Sequence, residues 1–315
     1  MTTVRPILSI DGISKSYPVG FTRKRHRVLY DLSFAVCENE IVGFLGPNGA
    51  GKTTTIKIVN RLSFPDEGEV TVFGERIGRR PEFHRRIGFM PEQPYFYEYL
   101  TGVEFLGLCG SLSGMRKTAI AVRSRSMLAR VGLEGAGKTA IRKYSKGMMQ
   151  RLGLAQALLH DPELVILDEP MSGLDPMGRL DVRNLILELK AAGKTVFFST
   201  HIISDVEALC DRVIMIDKGR KVAEGSVEEL MGGEGVQYVE IVISPVPSSG
   251  WISAAGLPPA AGAVRGNTFV LKAGSVEEAN RWIDGFRRAG SMVVSCVPVK
   301  KHLEEIYVER VGGRG

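Results

Sequence analysis

One stretch of nine residues, Gly46–Thr54, constrains the fold of this chain more than any other part of its sequence. It reads GPNGAGKTT and matches the G-x-x-x-x-G-K-[ST] pattern of a phosphate-binding loop, or P-loop. The apolar run 40–45 before it predicts a buried strand, and the apolar spacing of 55–62 after it predicts a helix. A strand, a glycine loop and a helix in this order direct backbone N–H groups and the positive end of the helix toward an anion. The stretch therefore predicts a site for a nucleoside triphosphate.

The residue types of the P-loop explain how it would hold phosphates. Its glycines allow the backbone to approach the phosphates closely. Lys52 is expected to contact the β- and γ-phosphates, and Thr53 is expected to ligate Mg²⁺. The predicted nucleotide contacts in this loop are Gly46, Pro47, Asn48, Gly49, Ala50, Gly51, Lys52, Thr53 and Thr54.

A second string, Gly132–Thr139, matches the same pattern in a different context. The residues before it, 126–131, have the pattern of a helix rather than of a buried strand, and 140–143 after it begin no long amphipathic helix. A phosphate-binding loop needs the strand before it and the helix after it. We therefore predict that this second string binds no phosphate.

Two adjacent carboxylates close the apolar run Leu164–Glu169. A carboxylate at the end of a strand lies beside the P-loop in this type of sheet. Asp168 is expected to hold Mg²⁺ through water, and Glu169 is expected to orient or polarise an attacking water. The alternative is that the two residues only cap a following helix.

Short apolar runs alternate with helical patterns along most of the chain. The segments 7–13 and 28–36 predict strands before the P-loop, and further runs follow it. This alternation predicts an α/β fold with a largely parallel sheet covered by helices on both faces. The segment from about 100 to 160 has helical spacing of its apolar residues, which predicts a mostly helical insertion.

The glycine-rich segment 231–235 is the clearest linker. It separates a predicted first domain, 1–231, from a predicted second domain, 236–315. In the second domain, strand patterns and two helical patterns predict a small α+β fold.

Composition and charge narrow the setting in which the chain works. With 44% hydrophobic and 24% charged residues, the composition is ordinary for a globular protein. No apolar run approaches the roughly 20 residues that cross a bilayer, and the N-terminus lacks the apolar core of a signal peptide, so work at a membrane would need a partner. The net charge is +6, and the tightest basic run, 23–27, would either contact anionic lipid or nucleic acid or form a solvated hairpin loop. The four cysteines lie far apart, which favours free thiols over a zinc site or disulfides.

Three motifs between 144 and 175 follow in the order YSKGMMQRL, LVILDEP and MSGLD. With the P-loop before them, they resemble the nucleotide-binding subunit of an ATP-binding cassette (ABC) transporter, and the order of motifs matches throughout 7–230. Ser145 and Gly147 stand where this family has its signature loop, usually LSGGQ, whereas Lys146 departs from it. The degenerate signature and the second domain resemble those of ABC-2-type exporter subunits.

The resemblance implies roles for further residues and names the ligand as ATP with Mg²⁺. It implies that Asp175 lies in a loop that communicates between two cassettes, and that His201 contacts the γ-phosphate. It implies that Tyr17 stacks on adenine. Glu92 or Gln93 would contact Mg²⁺ or the water, because either stands where the family usually has glutamine.

The resemblance also implies partners. Two copies, as a homodimer, would share each nucleotide, with Lys52 of one copy and Ser145 of the other on the same phosphates. An integral-membrane permease on a separate chain would dock on the aromatic stretch 94–100 at the cytoplasmic face of the membrane. No nucleic acid is expected. The alternatives are a soluble ABC ATPase that acts on ribosomes or DNA, and the ATPase subunit of an importer.

Overall fold

The computed structural model describes residues 5–19, 24–77, 82–231, 237–245, 262–288, 290–299 and 302–312. The chain forms two compact units, a larger one that ends at Val227 and a smaller one that comprises Glu228–Gly312. The larger unit therefore ends shortly before the predicted linker, of which 232–235 lie outside the described residues.

The larger unit combines strands and helices in alternation. Its strands are β1 (Pro6–Val19), β2 (Lys24–Cys37), β3 (Ile41–Leu45), β4 (Glu67–Val72), β5 (Glu75–Arg76), β6 (Ile87–Met90), β7 (Leu164–Asp168), β8 (Thr195–Thr200), β9 (Arg212–Asp217) and β10 (Arg220–Ser226). Its helices are α1 (Lys52–Val59), α2 (Gly102–Leu112), α3 (Lys117–Arg130), α4 (Lys146–Leu158), α5 (Pro176–Ala191) and α6 (Ile203–Leu209), and a short helix α7 (Val227–Leu230) follows at the boundary of the two units.

A six-stranded sheet in the order β10–β9–β3–β8–β7–β6 forms the centre of the larger unit. Its strands are parallel except for the antiparallel edge strand β10. Every residue of β3, β7 and β8 is buried, as expected of strands that are covered on both faces. This confirms the predicted α/β fold. The carboxyl ends of these strands meet at one edge, where Asp168 of β7 pairs with Ser199 of β8.

A second, antiparallel sheet in the order β2–β1–β4–β5 differs from the prediction. We expected short strands at 7–13 and 28–36, whereas β1 and β2 are longer and pair along most of their length. Residues 24–27 of the basic run belong to β2, so their interpretation as a hairpin loop is wrong, and residue 23 lies outside the described part. These residues extend as a strand because they pair with 16–19 across the hairpin.

Helices α2, α3 and α4 occupy the segment that we predicted to be a helical insertion. Helix α2 begins at a capping box, in which Thr101 and Glu104 satisfy each other's backbone N–H groups. Apolar side chains of the three helices share one core with the sheet residues Met90 and Val165. None of the helices in the described part of the chain combines the length and the apolar character that crossing a bilayer requires.

The smaller unit is an α+β fold. It contains β11 (Tyr238–Ser244), β12 (Gly262–Arg265), β13 (Thr268–Ala273), β14 (Met292–Val299), α8 (Val276–Arg288) and α9 (Leu303–Gly312). The sheet order is β12–β13–β11–β14. Alternate residues of β11 are buried, and they pack with Phe286 of α8 in a core of their own.

Candidate active site

The P-loop lies between β3, which ends at Leu45, and α1, which begins at Lys52. Gly46 cannot be replaced without a backbone collision, because a Cβ built there would lie 2.3 Å from the carbonyl oxygen of Ile216. Gly51 caps α1 with φ at 107°, a conformation that favours glycine. The first turn of α1 has neither a side-chain cap nor an acidic residue, so its N–H groups remain available to an anion.

Lys52 points back over the loop that precedes it. Its buried ammonium group donates to the carbonyl oxygens of Gly46 at 2.8 Å and Pro47 at 3.2 Å. The same nitrogen lies 3.1 Å from Oε1 of Glu169. Lys52 therefore links the P-loop to the carboxylate that follows β7.

Ser199 holds both carboxylates at the end of β7. Its hydroxyl donates to Oδ1 of Asp168 at 2.6 Å and accepts the backbone N–H of Glu169 at 3.0 Å. Asp168 also accepts a hydrogen bond from the side chain of Thr53. Burial raises the pKa of the Asp168 carboxyl above its usual value, although these two hydrogen bonds act in the opposite direction.

Glu169 lies between Lys52 and His201. Its Oε2 is 2.9 Å from Nδ1 of His201, and its Oε1 faces Lys52. Although Oε1 is close to the ammonium group, the pair lacks hydrogen-bond geometry, so this buried oxygen has no hydrogen-bond partner. It is therefore free to accept a proton or a hydrogen bond from a bound molecule.

A cavity of about 330 Å³ opens between these groups. Its lining residues are Val28, Asn48, Gly49, Gly51, Lys52, Thr53, Thr54, Glu92, Glu169, Ser172 and His201. It thus brings together most of the P-loop and the catalytic residues predicted from the sequence. Of the two candidates that the sequence left open, Glu92 lines the cavity and Gln93 does not.

Several predicted contacts lie elsewhere in the larger unit and do not line this cavity. The hydroxyl of Tyr17 lies 3.3 Å from that of Ser63. Ser145 caps α4, is exposed, and is followed by Gly147 in the first turn of that helix. Asp175 caps α5 through its side chain. In a single copy of the chain, these residues therefore do not form part of the cavity at the P-loop.

The sequence analysis missed three residues that shape this site. Val28 of β2 lines the cavity, Ser199 holds the carboxylates, and the buried amide of Gln150 donates to the carbonyl oxygen of Pro170 at 3.1 Å. A signal existed only for Ser199, a hydroxyl residue that directly follows the apolar residues Val196, Phe197 and Phe198 of β8.

The arrangement fits a nucleotide with Mg²⁺. Thr53 and Asp168 place a hydroxyl and a carboxylate in contact, and oxygen ligands of this kind are those that Mg²⁺ prefers. The helix start of α1 and the ammonium group of Lys52 suit phosphates. Oε1 of Glu169, which has an ion-pair partner in Lys52 but no hydrogen-bond partner, suits a water beside them.

Comparison with known proteins identifies the family. The ABC transporter family model matches residues 29–172. An uncharacterized ABC transporter ATP-binding protein of Nostoc sp. is 45% identical over 237 residues, 74% of this chain and 70% of that protein. Nod factor export ATP-binding protein I of Ralstonia nicotianae is 36% identical over 77% of this chain and 74% of its own length.

A solved ATP-binding cassette has the same fold. It is a dimer in a post-hydrolysis state with ADP and Pi, 26% identical to this chain, with a TM-score of 0.64 over 70% of this chain and 98% of that chain. Together with the buried Lys52, Asp168 and Glu169, these matches define what the chain is. It belongs to the ABC transporter ATP-binding protein family and is an ATPase of that family.

Proposed function

We propose that this chain is the ATP-hydrolysing subunit of an ABC-2-type exporter and that it works as a pair of identical copies with a separate membrane permease. The observation that carries the proposal is the position of Glu169, whose carboxylate lies between Lys52 and His201 and keeps one buried oxygen without a hydrogen-bond partner.

The candidate catalytic and metal-binding residues at the cavity then have distinct roles in hydrolysis. Lys52 moves from the loop carbonyls to the β- and γ-phosphates, which are stronger acceptors for an ammonium group. Oε1 of Glu169 accepts a proton or hydrogen bond from the attacking water, and His201 orients that carboxylate through Oε2. Thr53, Asp168 and Glu92 would hold Mg²⁺, which supplies positive charge to the phosphates.

The exposed Ser145 supports a shared site between two copies. A nucleotide on the P-loop of one copy would meet the N-terminus of α4 of the other. There the oxygen of the exposed Ser145 hydroxyl accepts the N–H of Met148, so the hydroxyl proton and the N–H groups of Lys146 and Gly147 are the donors that could reach a phosphate. ATP would then bind more tightly to the closed pair than to the open one, and hydrolysis would release the pair. This difference in affinity is what would drive a change of shape in the permease.

The surface proposed for the permease lies on the segment before α2. Tyr95, Tyr97 and Tyr99 are exposed by 95%, 51% and 74%, and the rings of the last two lie 6.0 Å apart. Tyrosines of this kind are enriched at the centres of interfaces. Phe96 corrects the sequence prediction, because it is buried against Phe105 and belongs to the core instead of this surface. A permease there would place the chain at the cytoplasmic face of the membrane.

Export is favoured over import or work on nucleic acid by one comparison. The relative from Ralstonia nicotianae is named for Nod factor export, and its similarity extends over 77% of this chain. Purification of the chain from its own cells tests the proposed export function, which predicts that a membrane protein co-purifies with it. Recovery of ribosomes or DNA in place of a membrane protein would favour the soluble ABC ATPase, and uptake by the recovered complex would favour the importer.

Replacement of Glu169 tests the mechanism. Glu169→Gln keeps the shape of the side chain but removes its basicity, so kcat should fall on the order of 100-fold or more while ATP affinity is kept. ATP should then hold two copies together, which size-exclusion chromatography with ATP and Mg²⁺ would detect.

Glu163→Gln is the matched control. Glu163 precedes the other end of β7, is about half exposed and pairs with Arg86 at 2.6 Å, so its replacement should leave kcat unchanged. Normal turnover in Glu169→Gln would show that another group activates the water. If Glu169→Gln stays monomeric with ATP bound, the proposal of a site shared between two copies is wrong.

A further inference from the structure

A partly buried ion pair joins the two helices that leave the active site. Helix α5 begins after the loop that contains Ser172, and helix α6 begins two residues after His201. Both Ser172 and His201 line the nucleotide cavity. Each helix is thus the direct continuation of a segment that reaches the site.

The pair consists of Arg183 on α5 and Asp205 on α6. The guanidinium group donates to a single oxygen, Oδ1 of Asp205, from Nη2 at 2.5 Å and from Nε at 3.2 Å. Asp205 is completely buried, whereas 31% of the Arg183 side chain is exposed. The second oxygen, Oδ2, is buried and has no hydrogen-bond partner.

Stability alone does not account for this arrangement. Desolvation of a buried carboxylate opposes the attraction to its partner, and an apolar pair of similar size is often at least as stable. The unsatisfied Oδ2 adds a further cost. What the pair does provide is a defined position of α6 relative to α5, because the interaction requires one geometry.

The position of α6 is transmitted to His201 through a short hydrogen-bonded turn. The backbone N–H of Asp205 donates to the carbonyl oxygen of Ile202 at 3.3 Å, and the N–H of Ile202 donates to the hydroxyl of Thr200 at 3.0 Å. His201 lies inside this turn. Val206 also seats α6 on β3, since a Cβ at Gly43 would lie 3.2 Å from it.

We propose that Arg183 and Asp205 are positioning residues that hold His201 within hydrogen-bond distance of Glu169 and make its position depend on the segment that leads into α5. The proposal rests on the role given above to His201 in hydrolysis. It goes beyond that role, because it places the control of His201 in a pair of residues that do not line the nucleotide cavity.

The test is a double-mutant cycle in the full-length chain. Asp205→Asn removes the charge at nearly constant shape, and the partly exposed Arg183 can then turn to water, so the fold should be retained. We expect kcat to fall on the order of 10-fold to 100-fold, as for a misplaced catalytic group, with little change in KM for ATP. In a His201→Ala background, the same replacement should cause no further loss of kcat.

Asp181→Asn is the matched control. Asp181 lies on the same helix, pairs with Arg151 at 2.8 Å and is half exposed, so its loss should leave kcat near that of the parent chain. Arg183→Lys keeps the charge but loses the contact of two nitrogens with one oxygen, so we expect a smaller loss than in Asp205→Asn. If Asp205→Asn does not fold, Arg183→Lys replaces it in the double-mutant cycle with His201→Ala.

The outcomes separate this inference from the proposed function. The positioning role would be overturned, and the proposed function kept, by either of two results. One is that the losses of kcat from Asp205→Asn and His201→Ala multiply in the double variant. The other is that Asp205→Asn also loses ATP affinity and thermal stability. Full kcat in Asp205→Asn or Arg183→Lys would overturn the positioning role as well. Full kcat in His201→Ala would overturn the role of His201 in the proposed function and, with it, this inference.

Discussion

At the scale of single residues, Glu169 adopts a backbone conformation that side chains seldom occupy. Its φ angle is 50°, in the left-handed region, which costs a residue other than glycine on the order of 1–3 kcal/mol. The hydroxyl of Ser199 holds this conformation through the N–H of Glu169 and binds Asp168 at the same time. The strain thus directs the carboxylate between Lys52 and His201, where the proposed reaction needs it.

His160, which lies outside the site, makes the stability of the folded chain depend on pH. Nε2 of His160 lies 2.9 Å from the carbonyl oxygen of Ile87. Burial lowers the pKa of His160 below 6.5, and Arg123 lowers it further, although the hydrogen bond to Ile87 and the charge of Asp161 act in the opposite direction. The unfolded chain therefore binds this proton more readily than the folded chain. The contribution of neutral His160 to stability is complete above pH 6.5 and is lost as the pH falls through its folded pKa.

His160→Gln should reduce this loss of stability. Glutamine can still donate to Ile87 but does not titrate, so the free energy of unfolding in urea should fall less between pH 7.5 and pH 5 than in the parent chain. His26→Gln, at an exposed position, controls for the removal of a histidine as such. An equal loss of stability in His160→Gln and the parent chain would show that other groups carry the acid dependence.

At the scale of elements, two loops with the same sequence pattern have opposite surroundings. The P-loop follows the buried strand β3 and leads into α1. The second string, Gly132–Thr139, follows α3 and contains only a short 3-10 turn at Glu134–Ala136. Lys138 is exposed, whereas Lys52 is buried over its loop. The pattern alone does not make a phosphate site, because the strand and the helix direct the N–H groups.

Alanine replacement of the two lysines should separate the loops. Lys52→Ala removes the only charged side chain that the P-loop provides, so ATP affinity should fall by about 10-fold or more, the loss expected for a charge-assisted contact. Lys138→Ala should leave it unchanged within error. Titration with a fluorescent ATP analogue measures both. A comparable loss in Lys138→Ala would show that the second string binds nucleotide.

The same contrast explains what the sequence could predict. The P-loop unit and the strand before Asp168 are contiguous, so the pattern of apolar residues and glycines was sufficient for both. The antiparallel sheet was missed because β1 pairs with β4, more than 50 residues away, and no local pattern records such a pairing.

The candidate site divides in the same way. The residues Lys52, Asp168 and Glu169 belong to motifs. Val28 instead lines the cavity from the distant strand β2, and Gln150 holds the backbone of Pro170 next to Glu169. Ser145 belongs to a motif but does not line the cavity at the P-loop of its own copy, so its role is a prediction about two copies.

At the scale of the whole molecule, the two units have separate hydrophobic cores. The cores of the larger unit include residues from Ile7 to Ile216, and the core of the smaller unit includes residues from Val239 to Val293. Among the described residues, those that line the nucleotide cavity all belong to the larger unit. A ligand that binds the folded form of one unit stabilises that unit by mass action.

Calorimetry of the full chain should therefore show two transitions, of which ATP shifts only one. The Glu169→Gln variant is used because it should hydrolyse ATP too slowly to consume it. In this variant, ATP at about 100 times its Kd should raise the free energy of unfolding of the larger unit by about 2.7 kcal/mol. For a unit of that size this raises Tm by about 5–10 °C. The transition of the smaller unit should not move. Adding Lys52→Ala should reduce the shift by about half or more, as its loss of ATP affinity requires. A single transition that ATP moves as a whole would show that the two units unfold together despite their separate cores.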